Sequence, residues 1–387
     1  MFQRKIAIIT TTRADWGLLH PVAVALREKT GKPPIILAGN SHLDPERGLT
    51  VNEIIADGFS PVYMQKPMDF NNRSSVMTAT LASVAGEIER NRPDIVLLLG
   101  DRFEMLAAAS AVAACDVPIA HISGGEITEG AVDDNFRHAI TKLASLHFVT
   151  TEEHRHRVIQ MGEQPARVIN TGAIGVSNVA DVVPVSRQEL ERSLGFELGH
   201  RPVLVTFHPA TMDPVSPAER FAALLTALDR HSELSPLFTY PNNDDSGRQL
   251  ISMIEEYVAT HSGARAVASL GRERYLSALS YVEAVVGNSS SGLVEVPSAG
   301  IPTVDIGIRQ RGRTAGASVI HCGDSADEIF QAISLALSPE MKEKASQRIN
   351  PYMGVDPVKT IVDTLTDIDV SSLLPKKFHD IDFTISK

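Results

Sequence analysis

Cysteine is scarce: Cys115 and Cys322 are the only two in 387 residues. Neither sits in a CxxC pair or beside a histidine at metal spacing. That excludes a disulfide framework and a zinc-type cluster, and the two thiols read as buried groups in a reducing compartment. No apolar run approaches the roughly 18 residues of a membrane span. No signal peptide is read before the first apolar segment, so the expectation is a cytoplasmic protein without membrane contact. Basic residues are in deficit, 36 against 47 acidic, for a net charge of −11. This disfavours nucleic acid and anionic membrane surfaces as partners. There is no GxGxxG at any strand–helix junction, which argues against a dinucleotide cofactor. There is no GxxxxGK[ST], which argues against a P-loop. Low-complexity segments and short-period repeats are also missing.

What is present is alternation. Short apolar runs (5–10, 34–38, 94–99, 118–122, 146–150, 167–172) are separated by segments with helical spacing (18–29, 76–90, 103–114, 136–146, 152–161). Such alternation predicts βαβ units and a parallel sheet covered on both faces. The pattern weakens over 172–200 and then restarts, with strands at 203–207, 237–240, 264–269, 283–287 and 302–306 and helices between them. The expected fold is α/β, with two Rossmann-like doubly wound domains. The first spans 1–175 and the second 176–355, and ligands favour the cleft that two such domains make.

One stretch holds most of the proton-carrying side chains. From His121 to His138 it contains Glu126, Glu129, Asp133 and Asp134, with Gly124 and Gly125 ahead of the acids. Strand, Gly-rich acidic loop and helix start follow in that order, where open α/β sheets place their chemistry. A plainer reading assigns Asp133 and Asp134 to the helix dipole, with Asp133–Arg137 and Asp134–His138 as i,i+4 pairs. That reading suits one of the two aspartates. It does not cover Glu126, nor several acids converging, where crowding separates pKa values and hence roles. Asp101 follows the 94–99 strand, with Arg102 beside it. Alone it reads as an N-cap; next to the strand that delivers Glu126 it becomes a site candidate.

Arg13, in Thr10-Thr-Thr-Arg-Ala-Asp15, has two equal readings: an anion ligand at a helix start, or a partner for a capping Asp15. His208, before Pro209, is weak evidence by itself. Asn242, in a polar strand-end loop, is either an Asx turn or a sugar-hydroxyl ligand. The strongest local signal is Gly287-Asn288-Ser289-Ser290-Ser291-Gly292, with Glu295 a turn later. Small residues admit backbone N–H groups to an anion, the serines add donors, and Glu295 suits ribose hydroxyls. Arg309, Arg311 and Arg313 follow, and next to such a loop in an acidic protein they read as phosphate neutralisation.

Together the segments TTRADWG, GNSHL, GDRFEMLA, HISGGEITEGAVDDNFRHAITK, FHP, GNSSSGLVEV and GIRQRGR resemble those of hydrolysing UDP-N-acetylglucosamine 2-epimerases of the bacterial sialic acid pathway, over nearly the whole chain. The resemblance implies the GT-B fold with an interdomain active site, a C-terminal helix (about 356–387) crossing back to the first domain, no cofactor and no metal. It implies a UDP-sugar substrate, elimination through 2-acetamidoglucal, and release of N-acetylmannosamine. By match to the family, Asp101, Glu126 and one of Asp133 and Asp134 move protons. Arg13, Arg102, His208, Asn242, Gly287, Asn288, Ser289, Ser290, Ser291, Gly292, Glu295, Arg309 and Arg313 bind UDP or substrate, and His42 lies near the sugar. The compact SGGEITEG loop sides with the hydrolysing branch. That branch also contains enzymes of 2,4-diacetamido-trideoxy sugars, an alternative these motifs leave open. A GT-B glycosyltransferase or a non-catalytic nucleotide-sugar sensor are more distant alternatives. Family members are commonly homodimers or homotetramers, so a homo-oligomer is expected.

Overall fold

The computed structural model describes residues 4–129, 131–181, 183–209, 215–241 and 245–382. The chain forms two compact units. The first comprises Met1–Glu126, Asp133–Ile174 and Gly354–Lys387; the second comprises Ile127–Val132 and Gly175–Met353.

Among the described residues, the first unit holds seven strands: β1 (Ile6–Thr10), β2 (Ile35–Ala38), β3 (Val62–Tyr63), β4 (Ile95–Leu99), β5 (Ile119–Ile122), β6 (Leu146–Val149) and β7 (Val168–Asn170). They pair in parallel in the order β3-β2-β1-β4-β5-β6-β7. The central strands are apolar throughout because helices cover both faces, as Ile8 and Leu97 on one side and Ile9 and Leu98 on the other illustrate. The second unit holds β8 (Pro202–Thr206), β9 (Ser235–Thr239), β10 (Arg265–Val267), β11 (Val285–Gly287), β12 (Thr303–Ile306) and β13 (Val319–Cys322). Their order is β10-β9-β8-β11-β12-β13, again parallel. Each sheet therefore reverses its winding once, between β1 and β4 and between β8 and β11. Crevices at such reversals are where doubly wound sheets bind ligands.

Two edge strands, β3 and β13, escape the sequence reading. Their residues are only half buried, so they carry no continuous apolar run. The weak region 172–200 forms the helices Ile174–Asp181 and Arg187–Leu194, the second opened by a Ser186–Glu189 capping box. The first helix begins at Arg13, five residues before its apolar spacing becomes regular. Thr12 is its N-cap and Asp15 completes the capping box. The helix Asp133–Leu143 likewise starts at its acids rather than at Phe136, since carboxylates favour the positive end of the dipole.

The last helix, Pro357–Asp367, lies on the first, Arg13–Thr30, and Ile361, Val362, Leu365 and Leu373 are part of the first unit's core. Arg4 and Arg167 bind carbonyls of the C-terminal segment, and Lys376 Nζ donates to Ala144 O at 2.6 Å. No helix of the described residues is long and apolar enough to cross a membrane.

Candidate functional site

In the first unit the loops that follow β4 and β5 converge on one buried cation. Arg137, 1% exposed, rises from the helix Asp133–Leu143. Its Nη1 donates to the Glu126 carbonyl at 2.9 Å and to Asp134 Oδ1 at 2.8 Å, and its Nη2 bonds the Asp101 carboxylate. Asp101 is thus an ion-pair partner rather than an N-cap; the cap position falls to Arg102, which makes no side-chain cap bond. Arg102 pairs instead with the buried Glu104 at 2.7 Å. The i,i+4 pairing expected of Asp133 with Arg137 is replaced by an i,i+3 pair from Asp134, which also lies 3.5 Å from His138 Nε2. Burial, then the charge of Asp101, push the Asp133 carboxyl up.

Gly125 makes this turn. Its φ is 79°, and a Cβ there would stand 2.5 Å from the His154 carbonyl oxygen, so a larger residue would lift Glu126 off the helix beneath. His121 braces the arrangement from below. Its Nε2 meets Gly100 O at 2.8 Å and its Nδ1 meets Thr141 Oγ1 at 3.3 Å, and burial lowers its pKa to about 4.

Arg13 and His42 lie by β1. Arg13 is half exposed, with Nη1 4.0 Å from Glu53; Asp15 accepts from the Thr11 and Thr12 backbone rather than pairing with Arg13. His42 is completely buried, and both ring nitrogens face hydroxyls, Thr10 at 2.9 Å and Thr50 at 2.8 Å. Burial drops its pKa to about 4.

In the second unit the reversal between β8 and β11 is closed by Asn288. Its Oδ1 accepts from the His208 backbone N at 2.7 Å, and its Nδ2 donates to the His208 carbonyl at 2.8 Å. Its own carbonyl accepts from Arg309 Nη1 and Gln310 Nε2, each at 2.8 Å. Asn288 is 3% exposed, so this side chain shapes the loop. Gly287 precedes it with φ 145°, and a Cβ there would fall 1.9 Å from Thr206 O. Ser289 caps the short helix Ser290–Val294 in position, with its hydroxyl 3.1 Å from Ser291 Oγ. Gly292 abuts Thr303, whose Oγ1 donates to its carbonyl at 2.8 Å. Burial raises Glu295 to about 7 and lowers His208 to about 3. The start of the helix Ile174–Asp181 makes room for Glu295, because Gly175 has no Cβ to meet its Oε1. Glu129 also belongs here. Its backbone N donates to Arg311 O at 3.0 Å, and its carboxylate lies 3.4 Å from Arg311 Nε. Arg313 is half buried after β12. Asn242 lies outside the described residues.

From the sequence Arg137 reads only as a helix pair of Asp133, not as a residue of the site. An arginine on the inward face of an amphipathic helix, three and four residues after two acids, was the available signal. No group of three or more His, Cys, Asp or Glu among the described residues is placed to hold a metal ion.

Residues 24–366 match the family described as UDP-N-acetylglucosamine 2-epimerase. The chain belongs to that family. A UDP-N,N'-diacetylbacillosamine 2-epimerase (hydrolyzing) of Legionella pneumophila is 35% identical over 88% of this chain and 90% of its own. Polysialic acid biosynthesis protein P7 of Escherichia coli is 32% identical over 98% of both. Among solved structures, UDP-GlcNAc 2-epimerase from Neisseria meningitidis bound to UDP-GlcNAc superposes with a TM-score of 0.79 at 18% identity, covering 93% of this chain and 99% of that one. Two Rossmann-like units in one chain make up the GT-B fold expected from the sequence, and the relatives place the chain among hydrolysing 2-epimerases.

Proposed function

We propose that the protein releases a free 2-epimerised sugar and UDP from a UDP-linked 2-acetamidoglucose and water. The observation that carries this is the convergence of the Asp101 and Asp134 carboxylates and the Glu126 backbone carbonyl on the buried Arg137, with Asp133 beside them. A glycosyltransferase has no need of so many acids on two adjacent strand-end loops. In this reading Glu126 takes the proton from C2 as the C1–O bond breaks and UDP leaves, giving the glycal. Water then adds, its hydroxyl to C1 and a proton to C2 on the opposite face. Asp133, whose carboxyl is raised and therefore retains a proton more readily, is the acid; Asp134 is occupied by Arg137 and His138. Asp101, aligned by Arg137, directs the water. Separate acid and base with pKa values driven apart are what the two steps require.

The second unit supplies the UDP ligands. Backbone N–H groups and hydroxyls of Ser289, Ser290, Ser291 and Gly292 take the diphosphate, with Arg309, Arg313 and His208. Glu295 takes ribose hydroxyls. Gly287 and Asn288 act by shaping this loop. Arg13 and Arg102 add positive charge. His42, with both nitrogens engaged, supports the β1 end rather than touching the sugar.

Two substrates differ at C4 and C6 of the sugar. The family description favours UDP-N-acetylglucosamine. The relative at 35% identity favours UDP-N,N'-diacetylbacillosamine, and we give this second reading the greater weight. Incubation with each sugar in deuterated water, followed by NMR, tests both. Free 2-epimer with deuterium at C2 and stoichiometric UDP is expected from one of them. UDP release from neither, or a product without C2 deuterium, would overturn the reaction.

A further inference from the structure

Glu126 has a buried neighbour that the reaction above does not use. Thr150, directly after β6, donates from Oγ1 to Glu126 Oε1 at 3.1 Å. The same hydroxyl lies 2.8 Å from Nδ1 of His154. His154 occupies the first turn of the helix Glu152–Gln160, where its backbone N binds the N-cap Thr151 at 3.1 Å. Exposure is 6% for Glu126, 3% for Thr150 and 1% for His154. The side chains meet directly.

A hydroxyl has one proton. If Thr150 gives it to Glu126, it cannot also give it to His154, so the ring nitrogen facing it carries a hydrogen and donates. The geometry thereby selects one tautomer of His154. We infer that His154 and Thr150 form a one-way donor chain, Nδ1–H to Oγ1–H to Oε1, that holds the Glu126 carboxylate aimed for proton abstraction. Both are positioning residues, since neither reaches the reacting atoms. The inference rests on the reading of Glu126 as the base.

The chain explains why a threonine rather than a valine occupies the first position after β6. Valine would fill the same volume but leave the carboxylate one donor short in a buried setting, where charge-assisted bonds matter most. The charged groups about Glu126 include Arg137 and, through it, Asp101 and Asp134. Arg157 of the 152–160 helix binds the neighbouring Gly125 carbonyl. All of these remain when Thr150 or His154 is replaced, so a change in titration reports the chain itself.

The experiment compares Thr150→Val, Thr150→Ser and Glu126→Gln in the full protein, following UDP release against pH together with UDP binding. Thr150→Val should move the acidic limb of kcat/KM up by about one pH unit and lower kcat roughly tenfold on that limb. UDP affinity should stay unchanged, and Thr150→Ser should restore both. Should Thr150→Val fold poorly, His154→Leu is expected to shift the limb in the same direction, and His154→Asn, whose amide can donate from a similar place, to shift it back. An unmoved profile in Thr150→Val, with Glu126→Gln inactive, overturns the donor chain alone. Full turnover by Glu126→Gln overturns the base assignment and the chain with it.

Discussion

Arg137 is bonded to the Asp101 carboxylate across 36 residues of chain, and through that pair the loop after β4 and the helix after β5 share one buried charge. Removing the cation leaves two carboxylates around an empty space. Arg137→Ala should destabilise the protein by ~3–5 kcal/mol in urea titrations. Arg137→Lys keeps the charge but not the fork that reaches three acceptors, so it should fold while turning over at least ~10-fold more slowly. A Lys variant with full activity would show that only charge, not direction, is needed.

Asp133 and Asp134 should separate cleanly. Asp133→Asn is expected to cut kcat by ~100-fold or more with an unchanged thermal midpoint. Asp134→Asn breaks the pairs to Arg137 and His138, so it should lower the midpoint as well as the rate. The reverse pattern would exchange their roles.

Acid should weaken the fold well above the usual carboxylate range. Burial holds His42 and His121 at about 4 instead of 6.5. Below about pH 6.5 the unfolded chain takes up protons that the native state refuses, so stability falls as pH falls. The loss ends near pH 4, where the native rings also protonate. Each histidine contributes a slope of up to ~1.4 kcal/mol per pH unit in that window. Glu163, held at about 2 chiefly by His147, Lys142 and Lys376 against the opposing effect of burial, adds a loss only below about 4.5. Urea midpoints at pH 7.5, 6.5 and 5.5 check this, and equal midpoints would contradict it.

The Asn288 clasp should be felt in nucleotide binding rather than in the first unit. Asn288→Ala leaves both backbone groups of His208 without their partner, a cost of ~1–3 kcal/mol expected to appear as weaker UDP binding by calorimetry. Gly287→Ala should be more severe, because a Cβ would meet Thr206 O at 1.9 Å. Unchanged UDP affinity in both variants would remove this loop from the site.

The two winding patterns were legible because strands such as β4, buried on both faces, are apolar at every position. The acids were legible as a cluster in one loop. What resisted reading depended on partners distant in sequence. Asp101 was legible as a site candidate beside Glu126, but not as the partner of Arg137; Arg137 looked like a helix-surface pair until it proved 1% exposed. Thr150 and His154 are ordinary residues four apart, and their meaning comes only from the carboxylate placed above them. Edge strands β3 and β13 show the same limit, since half-exposed segments carry half a signal.

The helix Pro357–Asp367 contributes Ile361, Val362 and Leu365 to the core of the unit that starts at the opposite end of the chain. During synthesis the ribosome therefore makes β1 to β7 long before their covering is complete. The second unit, largely continuous in sequence, has all its strands by Cys322. The first to be begun is the last to be sealed, and its unfinished apolar face must wait through the translation of the other. A stop codon just before Pro357 would leave that face open, and the shortened chain should collect in the insoluble fraction although every strand of both sheets has been made.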